Sequence, residues 1–471
     1  MLLCVEKCIF VEILGAEKCG VKRILYAKKC GKAPKLRANK CNNTMERIVL
    51  QQLAEWKHRS DRKPLILNGA RQVGKTWALR EFARREYEKE AYVICRKNDI
   101  LEEVFRKDFD TERIIRALRA LSGVDITPGD TLIILDEVQE IPEAIEALKY
   151  FCENAPEYHI AVAGSLLGIS LHAGVSFPVG KVSVIDVHPM SFEEFLMAKG
   201  ETEACKALKN HDFATTNLLH EKYVDLLRQY YYVGGMPEAV QKYVDSGALN
   251  EVRRIQIEIL HGYERDFSKH APKEQVERIR LVWKSIPSQL FKENKKFIYG
   301  AMRTGARAKE FEESILWLID AGLLHKVPRC TKPALPLAVY EDLSAFKLYL
   351  LDVGLLGAMA MTEPVQVLIN NNVFSEYKGG MTEQYVLQQL ISDGVKPVYY
   401  HSADNSRLEL DFVIQYQGEL LPIEVKAGAN VRANSLSNLL KDNAGMRAVR
   451  FSMLPFRQQD RLICVPLYAV M

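Results

Sequence analysis

Eight consecutive residues, Gly69, Ala70, Arg71, Gln72, Val73, Gly74, Lys75 and Thr76, constrain the fold of this chain more than any other feature. The apolar run Pro64 to Asn68 before them predicts a short buried strand, and Trp77 to Tyr87 after them carries helical spacing. Strand, G-x-x-x-x-G-K-T and helix in that order are the setting in which a phosphate-binding loop works. Glycines let successive backbone N–H groups wrap an anion, and the helix start adds partial positive charge. Lys75 is placed to reach the β- and γ-phosphates and Thr76 to ligate Mg2+, with Trp77 at the rim of the same site. The motif therefore predicts a nucleoside triphosphate, ATP or GTP, and Mg2+ as ligands.

A second element follows about 60 residues on, where Thr131 to Glu137 reads as a buried strand ending in two carboxylates, Asp136 and Glu137. Asp136 fits the magnesium partner and Glu137 the base that polarises an attacking water. The next strand, Tyr158 to Ser165, is expected beside both motifs in a doubly wound parallel sheet, whose ligands gather at the strand C-termini. Ser165 at its end is read either as a sensor of the γ-phosphate or as a plain turn residue. Residues 205–300 read as helices, consistent with a helical lid over the nucleotide.

The loop at 69–76, the turn Asp136-Glu137-Val138-Gln139 and Ala163-Gly164-Ser165 together resemble AAA-type ATPases of bacteria and archaea. So do the blocks His188-Pro-Met-Ser-Phe-Glu-Glu-Phe195 and Gly234-Gly-Met-Pro-Glu-Ala-Val240. The resemblance is to ATP-binding proteins with an AAA-type domain and a C-terminal domain of unknown function, and it covers residue 45 to about 460. It implies ATP as the nucleotide and a contact from Pro237, in a Gly-x-Pro element, to that nucleotide; a turn opening a helix is the other reading of Pro237. Family members carry Gly-Arg-Val where this chain has Gly180-Lys181-Val182. If that arginine is a finger on the γ-phosphate, Lys181 supplies its charge without the bidentate fork.

Further on, an amphipathic helix over Phe311–Leu324 precedes two β-like pieces, His325–Pro328 and Lys347–Leu351. Helix then hairpin resembles a winged helix, a module that binds DNA in some proteins and is structural in others. The last region carries sharper chemistry. Leu408–Gln415 and Leu420–Ala427, joined by a turn, predict a β-hairpin. Period-two alternation sets Asp411 against Leu410 and Phe412, and sets Glu424 and Lys426 against Ile423 and Val425. Glu383, on a helix expected over Thr382–Leu390, is able to join them. Two acids beside a lysine suit a Mg2+-dependent phosphodiesterase, with Asp411 and Glu424 as metal ligands and Lys426 orienting the nucleophile. The pattern resembles the PD-(D/E)-x-K nuclease superfamily. An exposed hairpin face with a Glu–Lys ion pair is the structural alternative.

Charge weighs on the nucleic-acid question. The 471 residues carry +4, but residues 1–44 alone carry +7, so the remainder is −3 and any grip on DNA must be local. That N-terminal segment also holds five of the ten cysteines, four of them (Cys8, Cys19, Cys30, Cys41) in an eleven-residue repeat. It reads as a translated repeat ahead of a start at Met45, with no function assigned. The expected organisation is 1–44 outside the fold, 45–200 nucleotide-binding core, 201–300 helical lid, 301–360 winged-helix-like module and 361–471 nuclease-like domain. The other five cysteines form no framework, as in reduced cytosolic proteins. Ile160 to Gly180 lacks charge but is rich in Gly and Ser, so a soluble, cytoplasmic α/β protein is expected. ATP hydrolysis governing a nuclease-like, DNA-binding module is the leading expectation. The alternative is a nucleotide-gated switch with protein partners or self-association and an inactive C-terminal domain.

Overall fold

Leu65, Ile66 and Leu67 are apolar on both sides of the chain, and so can only lie in a strand covered on both faces. A computed structural model, describing residues 45–165, 177–292, 295–368, 375–403, 408–428 and 434–470, places them at the heart of a five-stranded sheet. Its strands are β1 (Leu65–Asn68), β2 (Lys89–Ile94), β3 (Thr131–Asp136), β4 (His159–Ala163) and β5 (Ser183–Asp186). All pair in parallel, in the order β2-β3-β4-β1-β5. Alternate residues face two separate cores. Leu65, Leu67, Leu132, Ile134 and Ala161 meet the helix Lys75–Glu86 on one side. Ile66, Ile133, Leu135, Ile160 and Val162 meet the helices Thr111–Ser122 and Pro142–Asn154 on the other. Each such Leu or Ile contributes about 1.5–3 kcal/mol by leaving water. This is the doubly wound α/β architecture expected from the sequence. β4 lies between β1 and β3, which brings its C-terminal end beside both nucleotide motifs.

Helices occupy most of residues 202–290, including His220–Val233, Pro237–Ser246, the long Leu249–His270 and Val276–Leu290. The chain then builds a second, mixed sheet from β6 (Leu324–Cys330), β7 (Glu341–Leu350), β8 (Val398–Ser402), β9 (Glu409–Tyr416), β10 (Glu419–Lys426), β11 (Ala448–Ser452), β12 (Arg457–Gln459) and β13 (Leu462–Pro466). Its order is β12-β13-β11-β10-β9-β8-β6-β7. The β6–β7 hairpin follows the helix Ala308–Asp320, and β6 also pairs with β8 through Arg329 and Cys330. The hairpin thus shares one sheet with the strands that carry Asp411 and Glu424. The expected C-terminal hairpin is present as β9 and β10, with Phe412 opposite Ile423.

Helix Ser375–Ser392 ties this sheet to the region of the parallel sheet. Gln384 exchanges two hydrogen bonds with the Leu350 backbone at 2.9 and 2.6 Å, and Gln389 accepts from the Phe192 N–H at 2.8 Å. Cys95, Cys152, Cys205, Cys330 and Cys464 are free thiols. Among the described residues, no helix is long and apolar enough to cross a membrane. The repeat at 1–44 and most of the uncharged stretch after Ser165 lie outside the described residues.

Candidate nucleotide site

The loop turns because Gly74 takes a left-handed conformation, φ +94°, just before helix Lys75–Glu86. A side chain there would also press on the Arg47 guanidinium at 3.2 Å and touch the Pro237 ring at 3.6 Å. Pro237 therefore lies against the loop, and it also opens the helix Pro237–Ser246. Lys75 is buried, and its Nζ donates to the carbonyls of Gly69 and Ala70 at 2.8 and 2.7 Å. Burial pulls its pKa down to about 8, against the raising influence of Glu137 and Asp136.

Thr76 and Asp136, 60 positions apart, meet directly: the Thr76 hydroxyl donates to Asp136 Oδ2 at 2.8 Å. The Tyr92 hydroxyl donates to the same oxygen at 2.8 Å, and the Glu137 N–H to Oδ1 at 3.0 Å. A hydroxyl beside a carboxylate is the hard-oxygen pair that Mg2+ prefers. Glu137 has a left-handed backbone, φ +54°, that turns its side chain out of the strand line. Its Oε2 accepts from Gln139 Nε2 at 2.5 Å and from the Ser165 hydroxyl at 3.0 Å. Burial alone would raise this carboxyl. The two hydrogen bonds and the charges of Arg71 and Lys75 instead hold it below the usual carboxylate range. Ser165 thus touches the candidate base. Trp77 is exposed at the start of the helix.

Two features escaped sequence reasoning. Arg47 is buried and ties three segments together: Nε to Glu194 Oε1 at 2.9 Å, Nη1 to the Val73 carbonyl at 3.0 Å and Nη2 to the His188 carbonyl at 2.8 Å. Glu194 belongs to a capping box with Ser191, a pattern legible as S-x-x-E, so the His188–Phe195 block buttresses the loop. Nothing in the sequence around Arg47 marks it for burial. The other feature is a clasp between the loop and helix Leu249–His270. Arg71 Nη1 donates to both Asp266 oxygens at 2.7 and 2.9 Å, and the Tyr263 hydroxyl donates to the Arg71 carbonyl at 2.8 Å.

Lys181 lies two residues before β5, whose first residue pairs with the first residue of β1. That is the far edge of the sheet from the loop, roughly 15 Å of strand away. There Lys181 pairs with Glu153 at 2.8 Å, so it does not reach the nucleotide site of its own chain.

The C-terminal acids are drawn into ion pairs. Glu383 is buried between Lys295 Nζ at 2.7 Å and Lys347 Nζ at 3.8 Å, and accepts from the Tyr349 hydroxyl at 3.1 Å. Asp411 accepts from the Val425 N–H at 2.7 Å. Burial, then the nearby Glu383 charge, push its pKa up to about 7. Glu424 pairs with Arg450 Nε at 2.8 Å and with Lys426 Nζ at 3.3 Å. The structure thus brings Glu383 and Asp411 together, and engages Glu424 with both Lys426 and Arg450. Among the described residues, no group of three or more His, Cys, Asp or Glu side chains is placed to hold a metal ion.

Comparison with known families assigns residues 61–196 to an AAA domain. Residues 224–366 and 378–470 match two domains of unknown function, DUF8612 and DUF4143. No curated protein matches the chain. Among solved structures, the chain is similar to a Walker-type ATPase of Pyrococcus abyssi, with 13% identity and a TM-score of 0.43, over 67% of this chain and 96% of that one. It is also similar to the ORC1 protein of Aeropyrum pernix in complex with DNA, with 14% identity and a TM-score of 0.25, over 68% and 93%. A point variant of RuvB from Thermotoga maritima gives 12% identity and a TM-score of 0.27, over 59% and 89%.

Proposed function

We propose, from an AAA-type P-loop domain at residues 61–196, that this protein binds ATP with Mg2+ and hydrolyses it. The observation that carries this reading is the Thr76–Asp136 hydrogen bond at 2.8 Å, which closes the loop and the acidic strand end around one point. Thr76 and Asp136 would hold Mg2+, which when bound neutralises phosphate charge. Lys75 binds the β- and γ-phosphates. Glu137 takes the proton of the attacking water as its oxygen bonds to the γ-phosphorus. The bond from that phosphorus to the β–γ bridging oxygen breaks, and ADP leaves with the electron pair. Ser165 and Gln139 hold the Glu137 carboxylate in place for this. Glu137→Gln keeps the shape but removes the base. Hydrolysis is expected to fall about 100-fold or more, with ATP still bound. Phosphate release and ATP binding on the same preparation check it, and an unchanged rate would remove Glu137 from the mechanism.

The C-terminal domain is read as nuclease-like, with Glu383, Asp411, Glu424 and Lys426 as its chemistry and DNA as its substrate. On that reading Mg2+- or Mn2+-dependent cleavage of DNA occurs and is lost in Asp411→Ala. A second reading, a nucleotide-gated interaction switch, is favoured by the ion pairs that already neutralise Glu383 and Glu424. It expects no cleavage of any nucleic acid, and nucleotide-dependent binding that Asp411→Ala leaves intact.

A further inference from the structure

We propose that the Arg71 guanidinium is this site's own cation for the terminal phosphate, exchanging the Asp266 carboxylate for that phosphate when ATP binds. The inference rests on the ATP-binding reading and goes beyond it by assigning the γ-phosphate contact to this chain. Arg71 belongs to the loop itself, so its guanidinium needs no second subunit to reach the nucleotide. Its side chain is 41% exposed whereas that of Asp266 is 8% exposed. The guanidinium therefore has open solvent to turn into once it leaves the carboxylate, which stays enclosed on helix Leu249–His270.

Two further observations accord with that assignment. Its charge acts on both Lys75 and Glu137, opposing the ammonium of the first and favouring the carboxylate of the second. Lys181 is held by Glu153 at the opposite edge of the sheet and supplies no charge to this site. Chemically, the exchange is even-handed. A carboxylate and a phosphate both present a pair of oxygens that matches the guanidinium fork. ADP has no γ-phosphate to offer, so only ATP draws Arg71 from Asp266. The same exchange loosens the loop from helix Leu249–His270, which reports the presence of the γ-phosphate to the helical region.

The test measures binding of MgADP and of a non-hydrolysable ATP analogue with Mg2+ to the full chain, together with single-turnover ATP hydrolysis. Arg71→Ala is expected to bind ADP within about threefold of the unmodified protein. It loses the extra affinity for the triphosphate, and hydrolysis falls about 100-fold or more. Arg71→Lys, with charge but no fork, falls between. Asp266→Asn releases the guanidinium and is expected to bind the analogue about 2–5-fold more tightly, with ADP affinity unchanged. Arg71→Ala that keeps both its triphosphate preference and its hydrolysis rate overturns the proposal and leaves the ATP-binding reading standing. If the unmodified protein binds neither nucleotide, both fall. Should Arg71→Ala fail to fold, Asp266→Asn decides alone, and analogue binding that is unchanged or weaker overturns the proposal.

Discussion

Lys75→Ala is expected to weaken ATP binding by about a hundredfold or more while leaving the fold in place. Two charge-assisted hydrogen bonds to phosphate, at about 1.5–3 kcal/mol each, set the size of the loss. The fold survives because Lys75 adds little to it. Its ammonium is buried, its pKa is already drawn down to about 8, and its hydrogen bonds run only to the carbonyls of Gly69 and Ala70. Removing it relieves a desolvated charge and opens those carbonyls to water. Calorimetric titration with MgATP, alongside a thermal melt of the same sample, separates the two effects. An ATP affinity equal to that of the unmodified protein would end the nucleotide reading of the loop.

Gly235→Ala is expected to destabilise the protein by about 3 kcal/mol or more, an unusually large effect for one methyl group. The added Cβ would lie 2.1 Å from the Met190 carbonyl oxygen, an atom of the backbone that cannot rotate away. The damage would spread through hydrogen bonds centred on that glycine. Its carbonyl accepts from the Met190 N–H at 2.6 Å, and its N–H donates to Asp352 Oδ2, also at 2.6 Å. Asp352 is wholly buried, and burial pushes its carboxyl up despite donors from Gly235, Leu355 and Gln388. A shifted Gly235 would leave that acid short of a partner. Gly262→Ala is the control, since nothing lies within 4 Å of the added carbon and the residue is inside helix Leu249–His270. There alanine should stabilise by about 0.5–1 kcal/mol through helix propensity. Thermal or denaturant unfolding of both variants reads the contrast; a Gly235→Ala protein as stable as the parent would refute the close approach.

The geometry of the glycine-rich loop and the acidic strand end was largely legible in the sequence because its parts are local. A strand, a glycine-rich turn and a helix start occupy adjacent positions at 64–76, and β3 presents Asp136 and Glu137 at its very end. Burial on both faces selected the same strands, since an uninterrupted apolar run has nowhere else to go. The C-terminal hairpin was legible for the same reason, its alternation surviving as β9 and β10 with Phe412 opposite Ile423.

What the sequence could not show is how residues far apart in the chain are paired. Arg47 meets Glu194 across 147 positions, and Arg71 meets Asp266 across 195. Such ion pairs leave no periodic trace, because an arginine bound for a buried partner and one bound for solvent look alike in composition. Glu383, Asp411, Glu424 and Lys426 were visible as a charged group, yet only packing brought Lys295, Lys347 and Arg450 against the acids. Sequence by itself determined the chemistry of the nucleotide loop and the parallel sheet beneath it, since hydrogen-bond geometry and apolar burial act over a few residues. Tertiary structure alone decided which cations stand beside which carboxylates, because an electrostatic partner is chosen by distance in space.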